Sequence, residues 1–274
     1  MTEPFSHKED RVFVIEDWMQ AHPKLQAGFT SRKGGVSAPP YASFNHGLHV
    51  NDKEEDVIAN RGLLASSMAI PLNNWVIGEQ VHGTEVAVVK RTDGGKGAWE
   101  QGTSVKGCDG LITNISGLLL AAFFADCVPL YFHAPAAGWV GIAHAGWKGT
   151  VNGMASSMVA ALINEGASRE DIQVTIGPSI SKKHYEVDQR VIDNIEEQYI
   201  NLVTEPLNDG KFLLDLRELN RLVLVGAGIK KQNIRITEHC TYEQEDVFFS
   251  HRRDHGKTGR MLGFIGFTDG KGDV

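Results

Sequence analysis

The stretch "AAFFADCVPLYFHAPAAGWVGIAHAGWKGT" (residues 121–150) contains the end of one apolar run, two further apolar runs and the start of a helix. Short apolar runs separated by glycine and proline are typical of buried strands. Asp126 and Cys127 interrupt this pattern, and His144 and Lys148 lie where the last run ends. Because a dry core disfavours such polar groups, the stretch indicates a buried sheet whose strand ends carry the side chains of a functional site.

Similar apolar runs recur along the chain, and helical patterns lie between the later ones. The sequence therefore predicts an α/β (α+β) fold in which helices pack on a mixed β-sheet. We expect a single catalytic domain over residues 1–274, with residues 1–10 as a loose N-terminal tail. The predicted strands are residues 75–78, 85–90, 117–124, 128–133, 139–145, 172–177, 233–238 and 261–267, and the predicted helices are residues 151–162, 189–199 and 215–226.

The composition excludes several classes of protein. A net charge of −7 and an isoelectric point near 5.9 argue against nucleic acid as a partner, because phosphate backbones select a basic surface. The longest apolar stretch, Gly117 to Ala125, is far shorter than the ~20 residues that span a bilayer, so no membrane association is expected. Three unpatterned cysteines and the lack of a signal-like N-terminus predict a cytoplasmic protein.

The segment "WVGIAHAGWKGT" (139–150) has the pattern of an anion site. A strand ends at His144, turns through two glycines and enters a helix at about Thr150, where free N–H groups and Lys148 attract negative charge. The spacing does not match the phosphate-binding loop G-x-x-x-x-G-K-[ST]. An ordinary strand-to-helix turn with a surface lysine explains the same residues equally well.

Two more turns concentrate basic residues in an acidic protein. Arg32 lies in "TSRKGGVS" (30–37), and the segment "FFSHRRDHGKTGRM" (248–261) contains Arg252, Arg253, Lys257 and Arg260. Arginine side chains suit phosphate and carboxylate, although each turn can also be a solvated surface. Together they favour an anionic substrate.

Three metal-binding residue types, His82, Cys127 and His144, each lie at a predicted strand end. Two imidazoles and a thiolate leave a fourth position open on zinc, which is the pattern of a catalytic zinc site. The same residues permit a metal-independent hydrolase or deamidase, in which Cys127 is the nucleophile and His144 the base. The residues alone leave both alternatives open. Four other histidines are interpreted as solvated side chains: His7, His22, His46 and His49.

Seven segments in order resemble the YfiH-type laccase-domain family, long labelled multicopper polyphenol oxidase. They are "TSRKGGVSAPPYASFN", "GEQVHGTEV", "CDGLIT", "ADCVPL", "AHAGWKGT", "IGPSISKKHYEV" and "SHRRDHGKTGRM", the last with His255 where the family pattern has glycine. The resemblance implies a fold related to the deamidase domain of cytotoxic necrotizing factors and zinc on His82, Cys127 and His144. It also implies phosphorolysis of adenosine, inosine, guanosine and methylthioadenosine, with adenosine deaminase activity.

Our hypothesis from the sequence is therefore a zinc-dependent purine nucleoside phosphorylase and adenosine deaminase, a monomer or homodimer with inorganic phosphate as co-substrate. Arg32 and Lys148 are expected to hold the phosphate, with Arg252 or Arg253 as alternatives to Arg32. Either Asp126 or Asp109 is expected to handle protons near the purine. Four coppers are disfavoured because the chain has no H-x-H pair. A cysteine hydrolase and a non-enzymatic zinc protein are the rival hypotheses.

Overall fold

The structure is a computed structural model that describes residues 3–269. The strands are β1 (Ser6–Glu9), β2 (Val12–Val14), β3 (Leu25–Thr30), β4 (Trp75–Ile77), β5 (Val86–Val88), β6 (Gly110–Thr113), β7 (Leu119–Phe124), β8 (Val128–Ala134), β9 (Trp139–Ala145), β10 (Gln173–Ile176), β11 (Glu186–Asp188), β12 (Thr204–Pro206), β13 (Lys211–Leu214), β14 (Ile234–Ile236) and β15 (Met261–Phe267). The helices are α1 (Glu16–Ala21), α2 (Glu54–Met68), α3 (Trp147–Val151), α4 (Met154–Asn164), α5 (Gln189–Ile192), α6 (Glu197–Val203) and α7 (Leu216–Gly226).

Two six-stranded sheets pack face to face. The first has the order β1-β2-β3-β15-β7-β4 and the second the order β14-β10-β8-β9-β6-β5, while β11, β13 and β12 form a small third sheet. The apolar core between the two large sheets contains residues of β3, β7, β8, β9 and β15. Helix α2 packs on the outer face of the first sheet, and α4 and α7 pack on the outer face of the second. The result is a four-layer arrangement of helix, sheet, sheet and helices.

This layering explains the continuous apolar sequence of β9. All seven residues of the strand are buried. Val140 and Ile142 belong to the core between the sheets, whereas Trp139, Ala143 and Ala145 belong to the core beneath the helices. A strand that is covered on both faces has no polar face, so its sequence does not alternate.

The mixed α/β prediction is confirmed, and all eight predicted strands are present with ends that differ by at most two residues. The helices differ more. The predicted helix 151–162 is preceded by the short α3, and the chain turns at Gly153 (φ 88°) before α4 begins. The predicted helix 189–199 is split into α5 and α6. None of the helices among residues 3–269 has the length and apolar character needed to cross a membrane.

The expectation of a loose tail over residues 1–10 is wrong for the described part of that range. Strand β1 pairs antiparallel with β2, and Phe5 is 3% exposed in the core between the sheets. The Glu3 carboxylate accepts hydrogen bonds from the Glu238 backbone at 2.9 Å and the Thr237 hydroxyl at 2.5 Å. A short edge strand with one buried aromatic residue carries too little periodicity to be read from sequence.

Candidate active site

Four strand ends bring the three predicted metal ligands together. His82 lies in the turn after β4, Cys127 lies between β7 and β8, and His144 is the penultimate residue of β9. One ligand atom from each of the three lies within 4.8 Å of the other two. The ring centroids of the two histidines are 4.9 Å apart, at right angles to each other. Residues separated by 45 and 17 positions therefore form one cluster of two nitrogens and one sulfur.

Asp109, just before β6, fixes both histidines of this cluster. Its Oδ1 atom lies 2.9 Å from His144 Nδ1, which leaves Nε2 of that ring free as a ligand atom. Its two carboxylate oxygens also accept hydrogen bonds from the backbone N–H groups of Val81, His82 and Gly83 at 2.9 to 3.1 Å. A carboxylate that orients a ligating imidazole is the usual outer support of a metal site.

Gly146 leaves the space in which the side chains of Cys127 and His82 approach each other. A Cβ atom at this position would lie 3.1 Å from Cys127 Sγ and 3.2 Å from a ring carbon of His82. Such distances are tighter than ordinary van der Waals contact, so a side chain here would push the sulfur and the imidazole apart. The glycine in the predicted turn is therefore required by the cluster.

Cys127 and His144 shift each other's protonation. Burial alone raises the pKa of Cys127, but the charge of His144 and hydrogen bonds from both histidines outweigh it and lower that pKa to about 6. For His144, burial lowers the pKa, but the Cys127 charge and the hydrogen bond to Asp109 raise it to about 9. In the metal-free protein the pair is a thiolate and an imidazolium at neutral pH. The thiolate is the form of cysteine that binds metal or acts as a nucleophile.

The cluster lies in the wall of a cavity of about 940 Å³. The cavity wall also includes the aromatic side chains of Trp147 and Tyr185, which offer flat apolar surfaces. Cationic side chains outnumber carboxylates along the wall. The cationic residues are Arg61, Lys148, Arg190, Lys211, Arg252 and Arg260. A cavity of this size fits a small molecule, and its walls suit one that combines an aromatic ring with negative charge.

The predicted anion-binding residues divide into two groups. Lys148 and Arg252 line the cavity, but Arg32 and Arg253 do not. The Arg32 guanidinium lies over the Phe249 ring and donates to the carbonyls of Ala42 and Glu245. The expectation that Arg32 holds the phosphate is therefore not supported, because its side chain does not line the cavity.

The two predicted proton-handling residues also differ. Asp126 lines the cavity, whereas the Asp109 side chain is fully buried behind the histidines, which argues against the proton-handling role expected for it. Both oxygens of Asp126 accept hydrogen bonds, from Thr241 Oγ1 at 2.7 Å and from Ser250 Oγ and the Arg252 backbone at 3.0 and 2.7 Å. Asp126 thus anchors the 250–252 turn beside Cys127. Its φ of 84° is rare for a residue with a side chain, and such strain concentrates at functional sites.

His255 explains the altered position of the last motif. Its φ is 49°, in the left-handed region that glycine adopts without steric cost. The following Gly256 is also left-handed, with φ 82°. The backbone thus keeps the turn that the family pattern assigns to glycine, and the His255 side chain is exposed.

Sequence reasoning placed Arg260 in a basic turn without a specific role, and it missed Arg61 and His49 as residues of the cavity wall. His49 was interpreted as solvated together with His46, which is instead completely buried. A usable signal existed for Arg61. It occupies a core position of α2 beside Val57 and Leu64, and an arginine on the buried face of a helix indicates a special role. Because Asn60 and Arg61 occupy buried positions of α2 where apolar residues are usual, the helix lacks a clear apolar period and was not predicted.

Known proteins resemble this chain in both sequence and fold. Residues 26–268 match a family described as multi-copper polyphenol oxidoreductase laccase. The chain belongs to this laccase-like family. The crystal structure of the Bacillus licheniformis hypothetical protein YfiH superimposes with a TM-score of 0.94 at 44% identity, covering 97% of this chain and all of that one. The crystal structure of YlmD from Geobacillus stearothermophilus gives a TM-score of 0.91, also at 44% identity, covering 98% of this chain and all of that one.

Two curated relatives of this chain are named purine nucleoside phosphorylase YlmD. The Bacillus subtilis protein is 43% identical over 272 residues, which are 97% of this chain and 98% of the relative. The Geobacillus stearothermophilus protein is 49% identical over 244 residues, which are 88% of this chain and 89% of the relative.

The residues present fit one metal ion. Two imidazoles and a thiolate are common ligands of zinc and also of single copper centres. Within residues 3–269, His82, Cys127 and His144 form the one group of three or more such side chains with ligand spacing. A four-copper enzyme of the kind that the family description names needs further histidine clusters. The part of the chain that the structure describes therefore offers one group of side chains that could hold a metal ion.

Proposed function

We propose that this chain is a zinc-dependent purine nucleoside phosphorylase that accepts adenosine, inosine, guanosine and methylthioadenosine and also deaminates adenosine. The observation that carries the proposal is the position of the His82, Cys127 and His144 cluster in the wall of a cavity lined by aromatic and cationic side chains. The names of the two curated relatives support the same activity.

Zinc is the metal that we assign to the cluster. Three protein ligands leave a position for water or substrate, which is the arrangement of catalytic zinc sites. When bound, zinc supplies Lewis acidity, which activates water and polarises a substrate oxygen. The chain itself contributes the orientation of the ligands, since Asp109 fixes the His144 ring and the His82 turn together.

In phosphorolysis, an oxygen of inorganic phosphate bonds to the anomeric carbon of the ribose. The bond from that carbon to N9 of the purine breaks, and the electron pair leaves with the base, which takes up a proton. The products are the free purine and ribose 1-phosphate, or 5-methylthioribose 1-phosphate when the substrate is methylthioadenosine. In this proposal Trp147 and Tyr185 contact the purine, and cationic side chains of the wall bind phosphate. Asp126 is the proton-handling candidate, because it lines the cavity.

Adenosine deamination requires only water in place of phosphate. Water adds to C6 of the purine, and the amino group leaves as ammonia, so that inosine is formed. The two reactions differ in which bond of the nucleoside faces the cluster. The cavity volume of about 940 Å³ is large enough for a nucleoside, which supports the proposal that both bonds can face the cluster.

Product analysis tests this proposal. Protein of known zinc content is incubated with adenosine, with and without inorganic phosphate, and the products are separated by chromatography. We expect adenine only when phosphate is present, and inosine in both samples. Hypoxanthine should then follow from inosine in the presence of phosphate. Failure of the zinc-loaded protein to convert adenosine, inosine or guanosine would refute the nucleoside assignment.

A cysteine hydrolase or deamidase remains the second candidate because Cys127, His144 and Asp109 have the order of a nucleophile, a base and an orienting carboxylate. The lowered pKa of Cys127 provides a thiolate at neutral pH. This candidate requires that the metal-free protein is active and that alkylation of Cys127 abolishes the activity.

A further inference from the structure

Arg61 is a buried charge that the fold itself does not neutralise. The residue is 1% exposed in α2, and four of its five N–H donors bind backbone carbonyls. Nε and Nη2 donate to the His46 carbonyl, and Nη1 donates to those of Gly97 and Ala98. The remaining N–H, on Nη2, has no acceptor among residues 3–269, and the side chain lines the cavity.

No carboxylate among the described residues forms an ion pair with Arg61. Burial lowers the pKa of its guanidinium to about 9, and no neighbouring charge offsets this effect. A buried charge with only neutral partners is costly, since carbonyl dipoles replace only part of the lost hydration. A positive group that is kept in this state at a cavity wall is suited to an anion that arrives from outside.

Arg260 and His49 stand beside Arg61 on the same part of the wall. Both lie against Gly47, where an added Cβ would be 2.8 Å from Arg260 Cγ and 3.1 Å from His49 Cε1. The Phe123 ring joins them to Arg61, because its centroid is 4.9 Å from the Arg61 guanidinium and 5.6 Å from the His49 ring. Arg260 uses Nη1 for the carbonyls of Thr258 and Gly259, and no described residue accepts from its Nε or Nη2.

The other cationic side chains of the cavity differ in exposure. Lys148, Arg190, Lys211 and Arg252 are all exposed, so water solvates their charges without a counter-ion. Arg260 is half-buried, and Arg61 is completely buried. Burial lowers the pKa of Arg260, and the charges of Cys127 and Asp126 partly offset that effect. The need for a negative partner is therefore greatest at Arg61 and smaller at Arg260. Gln80 connects this region to the cluster, since its side chain binds both backbone groups of Phe123 two residues before His82.

We propose that Arg61 and Arg260, with His49 beside them, bind the phosphate co-substrate, in place of Arg32 and Lys148. The free Nη2 donor of Arg61 and the Nε and Nη2 donors of Arg260 bind phosphate oxygens. The identity of the anion rests on the proposed phosphorolysis, whereas the anion site itself rests on the buried, unneutralised guanidinium.

The test is calorimetric titration of inorganic phosphate into the zinc-loaded protein without nucleoside. Arg260→Gln is expected to weaken phosphate binding roughly tenfold or more, the effect of losing a charge-assisted hydrogen bond. Arg61→Lys keeps the positive charge but loses the planar guanidinium donors, so the affinity of this variant for phosphate should fall by a similar factor. Lys148→Gln tests the competing residue and should weaken phosphate binding less than Arg260→Gln does, because the lysine is exposed. Arg32→Gln is the matched control outside the cavity and should stay within about twofold of the parent protein.

Initial rates separate the two substrates. For Arg260→Gln, the KM for phosphate should rise while the KM for inosine stays unchanged. Because Arg61 also donates to three backbone carbonyls, the folding of Arg61→Lys is checked by thermal unfolding. If Arg61→Lys does not fold, Arg260→Gln alone tests the proposal. Normal phosphate binding by folded Arg260→Gln, with loss in Lys148→Gln, would overturn the assignment. So would absence of phosphate binding by the parent protein. Phosphate binding that depends on Arg260, without nucleoside cleavage, would support the anion site and refute the phosphorylase.

Discussion

Replacement of His82 or Cys127 by alanine is expected to remove both the bound zinc and the phosphorolysis of nucleosides. Each variant leaves two of the three ligand atoms that lie within 4.8 Å of one another. Metal polarisation contributes several kcal/mol to such reactions, so we expect the rate to fall roughly a thousandfold or more. Zinc is measured by elemental analysis after dialysis, and activity by chromatography of hypoxanthine released from inosine.

Two variants control for the loss of a histidine or a thiol elsewhere. His184 lies outside the cavity wall, with its Nε2 atom 2.8 Å from the Glu243 carboxylate. Cys240 is buried, and its thiol donates a hydrogen bond to the Ser181 hydroxyl. His184→Ala and Cys240→Ala should therefore keep their zinc and their activity. Retention of zinc and normal turnover by both His82→Ala and Cys127→Ala would show that the cluster is not the active centre.

Asp109→Ala is expected to destabilise the protein and to weaken metal binding at the same time. The carboxylate accepts from three consecutive backbone N–H groups and lies 2.9 Å from His144 Nδ1. Loss of a buried partner of this kind costs about 3–5 kcal/mol of unfolding free energy. Loss of an outer support typically lowers metal affinity roughly 10- to 100-fold. Denaturant unfolding and a competitive zinc titration measure the two effects.

Asp171 provides a matched control for Asp109. Its carboxylate also accepts backbone hydrogen bonds, from Ala136 and Ala137, but it does not line the cavity or contact a ligand. Asp171→Ala should lose some stability and leave the zinc affinity unchanged. If Asp109→Asn, which keeps one oxygen, binds zinc as tightly as the parent protein, then Asp109 is a structural residue and not a positioning residue of the site.

The sequence predicted the centre of the fold well because its signals are local there. The runs of β7, β8 and β9 are covered on both faces, so their apolar residues are continuous and end sharply at polar groups. The cluster of His82, Cys127 and His144 was predicted for the same reason, since Cys127 and His144 stand directly at those strand ends. Short edge strands such as β1 and β11 give no comparable signal.

Roles that depend on long-range contacts could not be predicted. Asp109 and Asp126 are both carboxylates beside strand ends, and only the fold reveals that Asp109 faces the histidines from behind whereas Asp126 reaches the cavity. Arg32 and Arg260 both lie in basic turns, yet the fold places Arg260 in the cavity wall, whereas the Arg32 guanidinium lies over the Phe249 ring outside that wall. Strand order is likewise set by pairings between segments far apart in the chain, such as β15 with β3.

The most direct test of the central claim is a zinc titration of metal-free protein with inosine phosphorolysis measured after each addition. The account predicts negligible activity without metal and a linear rise that stops at one zinc per chain, as one cluster of His82, Cys127 and His144 requires. Full activity in the metal-free protein, abolished by alkylation of Cys127, would contradict it and identify a cysteine enzyme instead.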